Sequence, residues 1–205
     1  MMGQAQEKAN RLHLKNVTFQ QGDVGTLPFT DGEFDIVLSL NGFHAFPDKE
    51  AAYREVFRVL RPGGTFCGCF YVADEHKRTD WFVRHIYEKA GFFTPPYETV
   101  SSLKKRLEHM YTAVTLENVK GIAWFVCRKE AKTETENEEQ KETKAMKILV
   151  YGAGVLGCNL ARNLLRAGKD VTLLARGNWA AEIKQNGLRI KDKFSLAPRS
   201  AVFRW

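Results

Sequence analysis

The sequence predicts an α/β fold, in which helices pack on a largely parallel sheet, on three observations. Strand and helix patterns alternate along residues 1–129. The segment FDIVLSL, residues 34–40, is nearly continuously apolar, as a strand that is covered on both faces requires. Residues 146–176 then show a strand, a glycine turn, a helix and a second strand within about 30 residues, which is the span of one βαβ unit.

Composition and charge divide the chain into parts. Its 205 residues, 44% of them hydrophobic, allow one large domain or two small ones. Residues 1–129 have a net charge of +2, whereas residues 146–205 have a net charge of +8. Residues 130–145 contain no aromatic side chain and have a net charge of −3, so they cannot bury enough surface to offset the entropy of ordering. We therefore predict a domain at 1–129, a charged linker at 130–145 and a second unit at 146–205. The alternative for residues 130–145 is an exposed helix.

The apolar runs, the cysteines and the basic charge also predict the cellular compartment and the kind of partner. The sequence contains no apolar run of about 18 residues and no signal-peptide pattern at its start, so a membrane partner and secretion are not expected. Four cysteines do not form a disulfide framework, and we expect a reduced, cytoplasmic setting. The basic residues of 146–205 accompany no recognisable nucleic-acid motif, so a small-molecule substrate is the expected partner. Self-association, which could complete a sheet, is left open.

Local signals define the elements of residues 1–129. A strand at 17–23 precedes the strand at 34–40, and Asp48 stands at the N-cap of a following helix. The RPGG segment, residues 61–64, is predicted to end that helix, because proline cannot continue it. The apolar face of the helix is formed by Ala52, Tyr53, Val56, Phe57, Val59 and Leu60.

The remaining predicted elements complete an alternating pattern with an antiparallel finish. They are an opening helix at 3–12, a strand at 65–72, a helix at 81–90, a loop at Pro95–Pro96, a helix at 102–109, and two strands at 111–116 and 122–128.

Residues 22–66, GDVGTLPFTDGEFDIVLSLNGFHAFPDKEAAYREVFRVLRPGGTF, resemble the class I S-adenosylmethionine-dependent methyltransferases that act on small molecules. The resemblance extends over about residues 3–129 and implies a Rossmann-like sheet with S-adenosylmethionine as cofactor. It implies that Asp23 contacts the adenine, that the backbone N–H of Val24 faces the ring, and that Leu40 and Asn41 border the methionine part. A carboxylate and an N–H together satisfy the amine and the acceptor nitrogen of adenine.

This resemblance also predicts a defect. The first glycine-rich motif of the family, its first two strands and the acid that holds the ribose hydroxyls would precede the region where this sequence begins. Those strands are central in the family's sheet, so we expect an N-terminally truncated sheet and impaired methyl transfer. The catalytic residues are not assigned.

Residues 146–191, MKILVYGAGVLGCNLARNLLRAGKDVTLLARGNWAAEIKQNGLRIK, resemble the start of the ketopantoate reductases, which use NADPH. The resemblance implies a tight turn at Gly152, backbone approach to the pyrophosphate at Gly154, and close helix–strand packing at Gly157. The N-terminus of the helix, at Val155 and Leu156, would present N–H groups to the phosphates. Arg176 ends the second strand, where a guanidinium suits the 2′-phosphate of NADP.

The rest of the reductase, including its catalytic lysine and glutamate, would lie beyond residue 205, so this unit is expected to be incomplete. Three hypotheses follow. In the first, an impaired methyltransferase domain is joined to a partial NADP-binding unit, or the chain acts as a fragment similar to a ketopantoate reductase. In the second, the chain is a non-enzymatic nucleotide-binding protein or a product of gene fusion, and in the third it forms a permuted sheet. In the third, the βαβ unit at 146–176 docks where the missing strands of the first domain belong. The linker is flexible enough to permit it.

Other reactive side chains have a structural and a functional interpretation. His44 follows the strand at 34–40, where a structural role is favoured over that of a base. Cys67 and Cys69 alternate onto one face of a strand and are expected in the core. They have no second Cys or His pair nearby, so no metal site is expected. The aromatic residues between Trp81 and Phe93 are interpreted as core or as a lid over an acceptor site.

Overall fold

The computed structural model describes residues 17–131, 146–152, 155–175, 188–191 and 200–203. Seven of its strands form one sheet, and the remaining two pair as an antiparallel hairpin. The strands of the sheet are β1 (Val17–Gln21), β2 (Phe34–Leu40), β3 (Leu60–Tyr71), β4 (Ala113–Val119), β5 (Ile122–Arg128), β6 (Lys147–Tyr151) and β7 (Asp170–Ala175). The hairpin consists of β8 (Leu188–Lys191) and β9 (Ser200–Phe203).

The strands of the sheet lie in the order β1-β7-β6-β2-β3-β5-β4. The pairs β1–β7, β7–β6, β6–β2 and β2–β3 are parallel, while β5 pairs antiparallel with both of its neighbours. The predicted antiparallel finish is therefore confirmed. The two strands of the C-terminal βαβ unit lie between β1 and β2, so the sheet combines strands from 1–129 and 146–205. This is the arrangement of the permuted-sheet hypothesis, and the expected gap in the first sheet is filled. The division into separate domains stays a prediction.

Helices cover both faces of the sheet. They are α1 (Lys49–Val59), α2 (Lys77–Phe82), α3 (Val100–Met110) and α4 (Val155–Arg166), and α2 continues as a π-helical turn, Val83–Tyr87. Helices α1 and α3 pack on the face that carries Leu149 and Tyr151. On the other face, α4 lies against Val150, close to Gly157. Alternate residues of β6 thus face opposite layers, as a buried parallel strand requires.

One hydrophobic core joins the two halves of the sequence. Leu149, Tyr151 and Leu174 from the βαβ unit belong to the same buried cluster as the α1 and α3 residues, for example Val56 and Leu103. All five are at most 1% exposed. Outside this cluster, the Asp35 carboxylate accepts a hydrogen bond at 2.8 Å from the backbone N–H of Lys147, where β6 begins.

The direction of the strands explains how the C-terminal βαβ unit reaches its position between β1 and β2. Because β5 is antiparallel to β3, it ends at Arg128 beside Thr65, the amino edge of the parallel strands. The strand β6 must begin at that same edge. The path from β5 to β6 therefore needs only a sideways step of three strand spacings, about 14 Å. The 18 residues between Arg128 and Lys147 are long enough for such a step.

Several local predictions hold, and some need correction. Asp48 caps α1 and accepts a hydrogen bond from the Ala51 N–H at 2.8 Å. The helix ends at Val59, before the RPGG segment, which instead lies in the irregular start of β3, where the pairing with β2 shifts register. The opening helix at 3–12 and most of the linker at 130–145 lie outside the described residues.

The segment from Trp81 to Phe93 also differs from the prediction. Its helix begins at Lys77, earlier than expected, and most of its large side chains are exposed, which excludes the core interpretation for them and leaves the lid interpretation a prediction. Val83 is buried, and Phe93 packs beside Tyr71. Among the helices that the structure describes, none combines the length and the apolar character needed to cross a bilayer.

Candidate functional site

The site lies where four neighbouring parallel strands, β1, β7, β6 and β2, reach their carboxyl ends. The chain leaves β6 toward β1 through α4 and β7, and leaves β2 in the opposite direction, toward β3. The order of strands thus reverses between β6 and β2. In open α/β sheets the crevice at such a switch point is where ligands bind.

The loop after β1 forms one wall of the site. Asp23 makes a tight turn, in which its Oδ1 accepts a hydrogen bond from the Gly25 N–H at 2.7 Å. Its second oxygen has no partner among the described residues, and nothing in that part of the chain accepts a hydrogen bond from the Val24 N–H. The turn therefore leaves one carboxylate oxygen and the backbone N–H of the next residue without a partner in the described part of the chain. Both interpretations of Asp23, as a turn residue and as a ligand contact, are compatible with this geometry.

The loop closes a cleft of about 390 Å³. The cleft is lined by Asp23, Val24, Gly25, Thr26, Pro47, Asp48 and Ala51. The last three residues come from the start of α1 and were not predicted as site residues. Asp48 was recognised only as a helix cap, because a local capping pattern carries no information about which distant loop packs beside it.

The loop after β2 leaves the same carboxyl edge of the sheet, on the other side of β6 from β1. Asn41 is exposed and adopts a left-handed backbone conformation, with φ 54°, while its N–H donates to the Cys69 carbonyl at 2.7 Å. A Cβ added at Gly42 would lie 2.9 Å from Ser39 Oγ and 3.4 Å from the Tyr151 carbonyl oxygen. The β2 loop thus packs directly on the end of β6. Leu40, the last residue of β2, pairs with Cys69 of β3.

The glycine turn after β6 lies between these two loops in the strand order. Gly152 has φ 111°, and a Cβ there would meet no atom within 4 Å among the residues that the structure describes. A Cβ at Gly157 would lie 2.1 Å from the Gly152 carbonyl oxygen, so only glycine permits this approach of α4. The tight turn expected at Gly152 and the close packing expected at Gly157 are present, and the cofactor that they would hold stays a prediction. Gly154 and Arg176 lie outside the described residues, as does the side chain of Val155, while Leu156 is exposed on the first turn of α4.

Tyr151 connects the glycine turn to the β1 loop. Its ring is buried beside Phe43 and Phe46, and its hydroxyl donates a hydrogen bond to the Val24 carbonyl. This contact joins residues that are 127 positions apart. The sequence did not predict this hydrogen bond, because in the sequence pattern Tyr151 is only one more apolar residue of a strand.

His44 follows the β2 loop at the mouth of the crevice. Its ring stacks on Phe93 with 4.0 Å between centroids, and its Nδ1 is buried without a partner among the described residues. Burial, and secondarily the charge of Lys49, lowers the pKa of His44 to about 4. The imidazole is therefore neutral at pH 7 and only weakly basic. This agrees better with a structural role than with that of a base.

The nearby cysteines resemble core residues. Cys69 is buried and Cys67 is half-buried, and burial raises the pKa of the Cys67 thiol to about 11. Such a thiol stays protonated at neutral pH and is a poor nucleophile.

This fold is a Rossmann-like α/β sheet with a crevice at the point where its strand order reverses. A family model described as "Methyltransferase domain" matches residues 1–151, and the chain belongs to that family. Over residues 148–201 the chain is similar to the family described as "Ketopantoate reductase PanE/ApbA".

Individual relatives support the first match. The chain is 43% identical over 82 residues to the uncharacterized methyltransferase YcgJ of Bacillus subtilis (strain 168), covering 40% of this chain and 31% of that protein. It is 32% identical over 83 residues to the ubiquinone/menaquinone biosynthesis C-methyltransferase UbiE of Shewanella frigidimarina, covering 40% and 32%. The matches thus span about a third of the length of these relatives. A solved Thermotoga maritima SAM-dependent methyltransferase, described as a possible histamine N-methyltransferase, is 16% identical with a TM-score of 0.48, covering 60% of this chain and 69% of that one.

Proposed function

We propose that the chain binds S-adenosylmethionine in the crevice between β1, β6 and β2 and acts as a methyltransferase on a small-molecule acceptor. One observation carries the proposal: the β6–α4–β7 unit fills the sheet between β1 and β2. As a result, Asp23, Asn41 and Gly152 end strands of one continuous parallel array. Without that unit, the loops after β1 and β2 would flank an empty gap.

The chain's own groups suit the parts of such a ligand. The unpartnered oxygen of Asp23 accepts from the adenine amine, and the Val24 N–H donates to a ring nitrogen. The glycine turn at Gly152 lets the backbone approach the ribose and methionine portion, which Leu40 and Asn41 border from the β2 side. When bound, the cofactor supplies an electrophilic methyl group, and these residues orient it.

The proposed activity is impaired in one respect. The resemblance places the acid that holds the ribose hydroxyls after the strand that β7 replaces. There the sequence has Arg176, directly after the last residue of β7. A guanidinium has no acceptor for hydroxyl protons, so binding should be weaker than with a carboxylate.

Calorimetric titration of the full chain with S-adenosylhomocysteine tests the proposal. Asp23→Asn keeps an Oδ1 acceptor for the Gly25 N–H but replaces the free oxygen with an amide donor. We expect it to weaken binding by about 10- to 100-fold, the loss typical of a hydrogen bond to a charged group. Glu117→Gln, an equivalent change at an exposed site on β4, serves as the matched control. Equal affinity of wild type and Asp23→Asn contradicts the proposed adenine contact.

A second candidate is NADP(H) binding at the same turn. The close packing of Gly157 on Gly152 favours it, because this is the packing that the third glycine of the dinucleotide motif permits. The similarity of residues 148–201 to ketopantoate reductases and the position of Arg176 support it further. We propose binding only, since the reductase's catalytic lysine and glutamate have no match in this sequence.

One substitution separates the two candidates. Arg176→Glu restores an acceptor for ribose hydroxyls and removes the cation that suits a 2′-phosphate. We expect it to strengthen S-adenosylhomocysteine binding and to weaken NADPH binding, each by about tenfold or more. If wild type and variant bind neither ligand, both proposals fail.

A further inference from the structure

The helical segment after β3 carries an unusual concentration of exposed apolar side chains. Among the described residues, ten large hydrophobic side chains are exposed, and five of them lie between residues 81 and 92. These five are Trp81, Phe82, Ile86, Tyr87 and Phe92, with exposures from 44% to 63%. Of the two interpretations of this segment, core or a lid over an acceptor site, the core interpretation is therefore wrong for most of its large residues.

The exposed side chains follow helical spacing. Trp81 and Phe82 are succeeded one turn later by His85 and Ile86, and the rings of Trp81 and His85 stack at 4.8 Å. One turn before Trp81 and Phe82 come Lys77 and Arg78, and one turn after His85 and Ile86 comes Lys89; all three are exposed. We call this line of residues, from Lys77 to Lys89, the outer stripe. Its centre is aromatic and apolar, and both ends are cationic.

The opposite side of the segment faces the protein. Val83 is 1% exposed, and Tyr87 stacks on Phe93 at 5.6 Å. Arg84 pairs with Asp74 at 3.3 Å. The segment is therefore anchored on one side, and the outer stripe is left to solvent.

The carboxylates of the segment point inward. Asp80 accepts a hydrogen bond from the Tyr71 hydroxyl at 2.7 Å, and Glu88 accepts one from the Tyr97 hydroxyl at 2.8 Å. Both are partly shielded, whereas Lys77, Arg78 and Lys89 of the outer stripe are exposed. The charges that the outer stripe itself presents to solvent are therefore positive, and the exposed carboxylates of Asp74 and Glu75 lie before its start.

We propose that the outer stripe docks on the surface of an anionic lipid bilayer. A helix that lies in a membrane interface has Trp, Phe and Leu or Ile on one side, accompanied by Lys and Arg that reach the headgroups. The cationic ends of the outer stripe match the negative charge of anionic headgroups. We therefore take the bilayer as the occupant, and a second copy of the chain is the alternative that the test must exclude.

This proposal is independent of the cofactor and departs from the expectation of no membrane partner. That expectation rested on the lack of an apolar run long enough to span a bilayer. The sequence pattern could not show that Trp81, Phe82 and Ile86 stay outside the fold.

Sedimentation with sucrose-loaded vesicles tests the proposal directly. The full chain should bind vesicles of phosphatidylcholine with one-third phosphatidylserine, and should bind pure phosphatidylcholine at least about tenfold more weakly. The double variant Trp81→Ala/Phe82→Ala should lower binding by about tenfold or more. Trp124→Ala is the matched control, since Trp124 is 49% exposed on β5 and Trp81 is 52% exposed.

A second pair of variants tests the charge. Lys77→Glu/Arg78→Glu should abolish the preference for phosphatidylserine, whereas Lys105→Glu, on the exposed side of α3, should leave it unchanged. Absence of vesicle binding, equal binding to both lipid mixtures, or equal loss with Trp124→Ala overturns the proposal. So does a concentration-dependent dimer that the Trp81→Ala/Phe82→Ala change dissociates, because the stripe would then bind a second copy.

Discussion

Replacing Leu149 by alanine tests whether the two halves of the sequence fold as one body. Leu149 is fully buried in β6, and it belongs to the core that also contains residues of α1 and α3. Truncation of a leucine at such a site costs about 2–5 kcal/mol, because apolar contacts are lost and a cavity remains. The free energy of unfolding should fall by that amount for the whole sheet.

Hydrogen exchange can locate this loss. The strand β5 does not touch β6, since β2 and β3 separate them in the sheet. Its most protected amides, within Ile122–Arg128, should therefore exchange only when the whole structure opens. A loss of 2 kcal/mol or more would accelerate their exchange by about 30-fold or more, since about 1.4 kcal/mol corresponds to a factor of ten.

The matched control is Leu156→Ala, which removes the same atoms from an exposed position, 43% accessible, on α4. This change should leave the exchange of β5 within about twofold of wild type, because little apolar surface is lost. The reasoning is refuted if Leu149→Ala accelerates exchange in 147–151 while β5 keeps its protection. In that case the βαβ unit would unfold independently of the first half.

Two further predictions concern stability. Gly157→Ala should lower the free energy of unfolding by about 1–3 kcal/mol in chemical denaturation, because the added Cβ would lie 2.1 Å from the Gly152 carbonyl oxygen. An unchanged free energy of unfolding would mean that α4 does not pack against the turn at Gly152. Acid should also destabilise the fold through His44, whose pKa is about 4 when folded and 6.5 in the ordinary state. The unfolded chain binds more protons between these values, so stability falls as pH drops from 7 to 4, by up to about 3 kcal/mol, and His44→Phe should lose this component.

Local elements were predictable because their causes are local. The strand β2 was predicted to the residue, since a continuous apolar run between turn residues leaves little choice. The cap at Asp48 and the buried face of α1 follow from the chemistry of one helical turn and from helical spacing. The helix ends before RPGG, as predicted, but Leu60, which was expected on its buried face, already belongs to β3.

The joint sheet was only one of three hypotheses from sequence, for a physical reason. The pattern of β6 shows that it is buried on both faces, but not which strands lie beside it. The choice of neighbours depends on long-range contacts such as Lys147 with Asp35 and Tyr151 with Val24, and local periodicity does not encode them. The exposure of Trp81 likewise depends on what the rest of the fold leaves uncovered.

The composite crevice makes a last prediction about its ligands. Both S-adenosylhomocysteine and NADPH contain adenosine, and in the proposed site both must pass the same turn at Gly152. Within the described part of the chain, the cleft beside Asp23 and Val24 is the proposed adenine site for that turn. If both ligands bind, they must therefore compete. Saturating S-adenosylhomocysteine should then abolish the heat of NADPH titration, and Asp23→Asn should weaken the binding of both ligands. Additive heats, or an Asp23→Asn effect on one ligand alone, would show that the NADP-type unit uses a separate adenine site. The methyltransferase-like part and the NADP-type unit would then share one sheet but bind their ligands at separate sites.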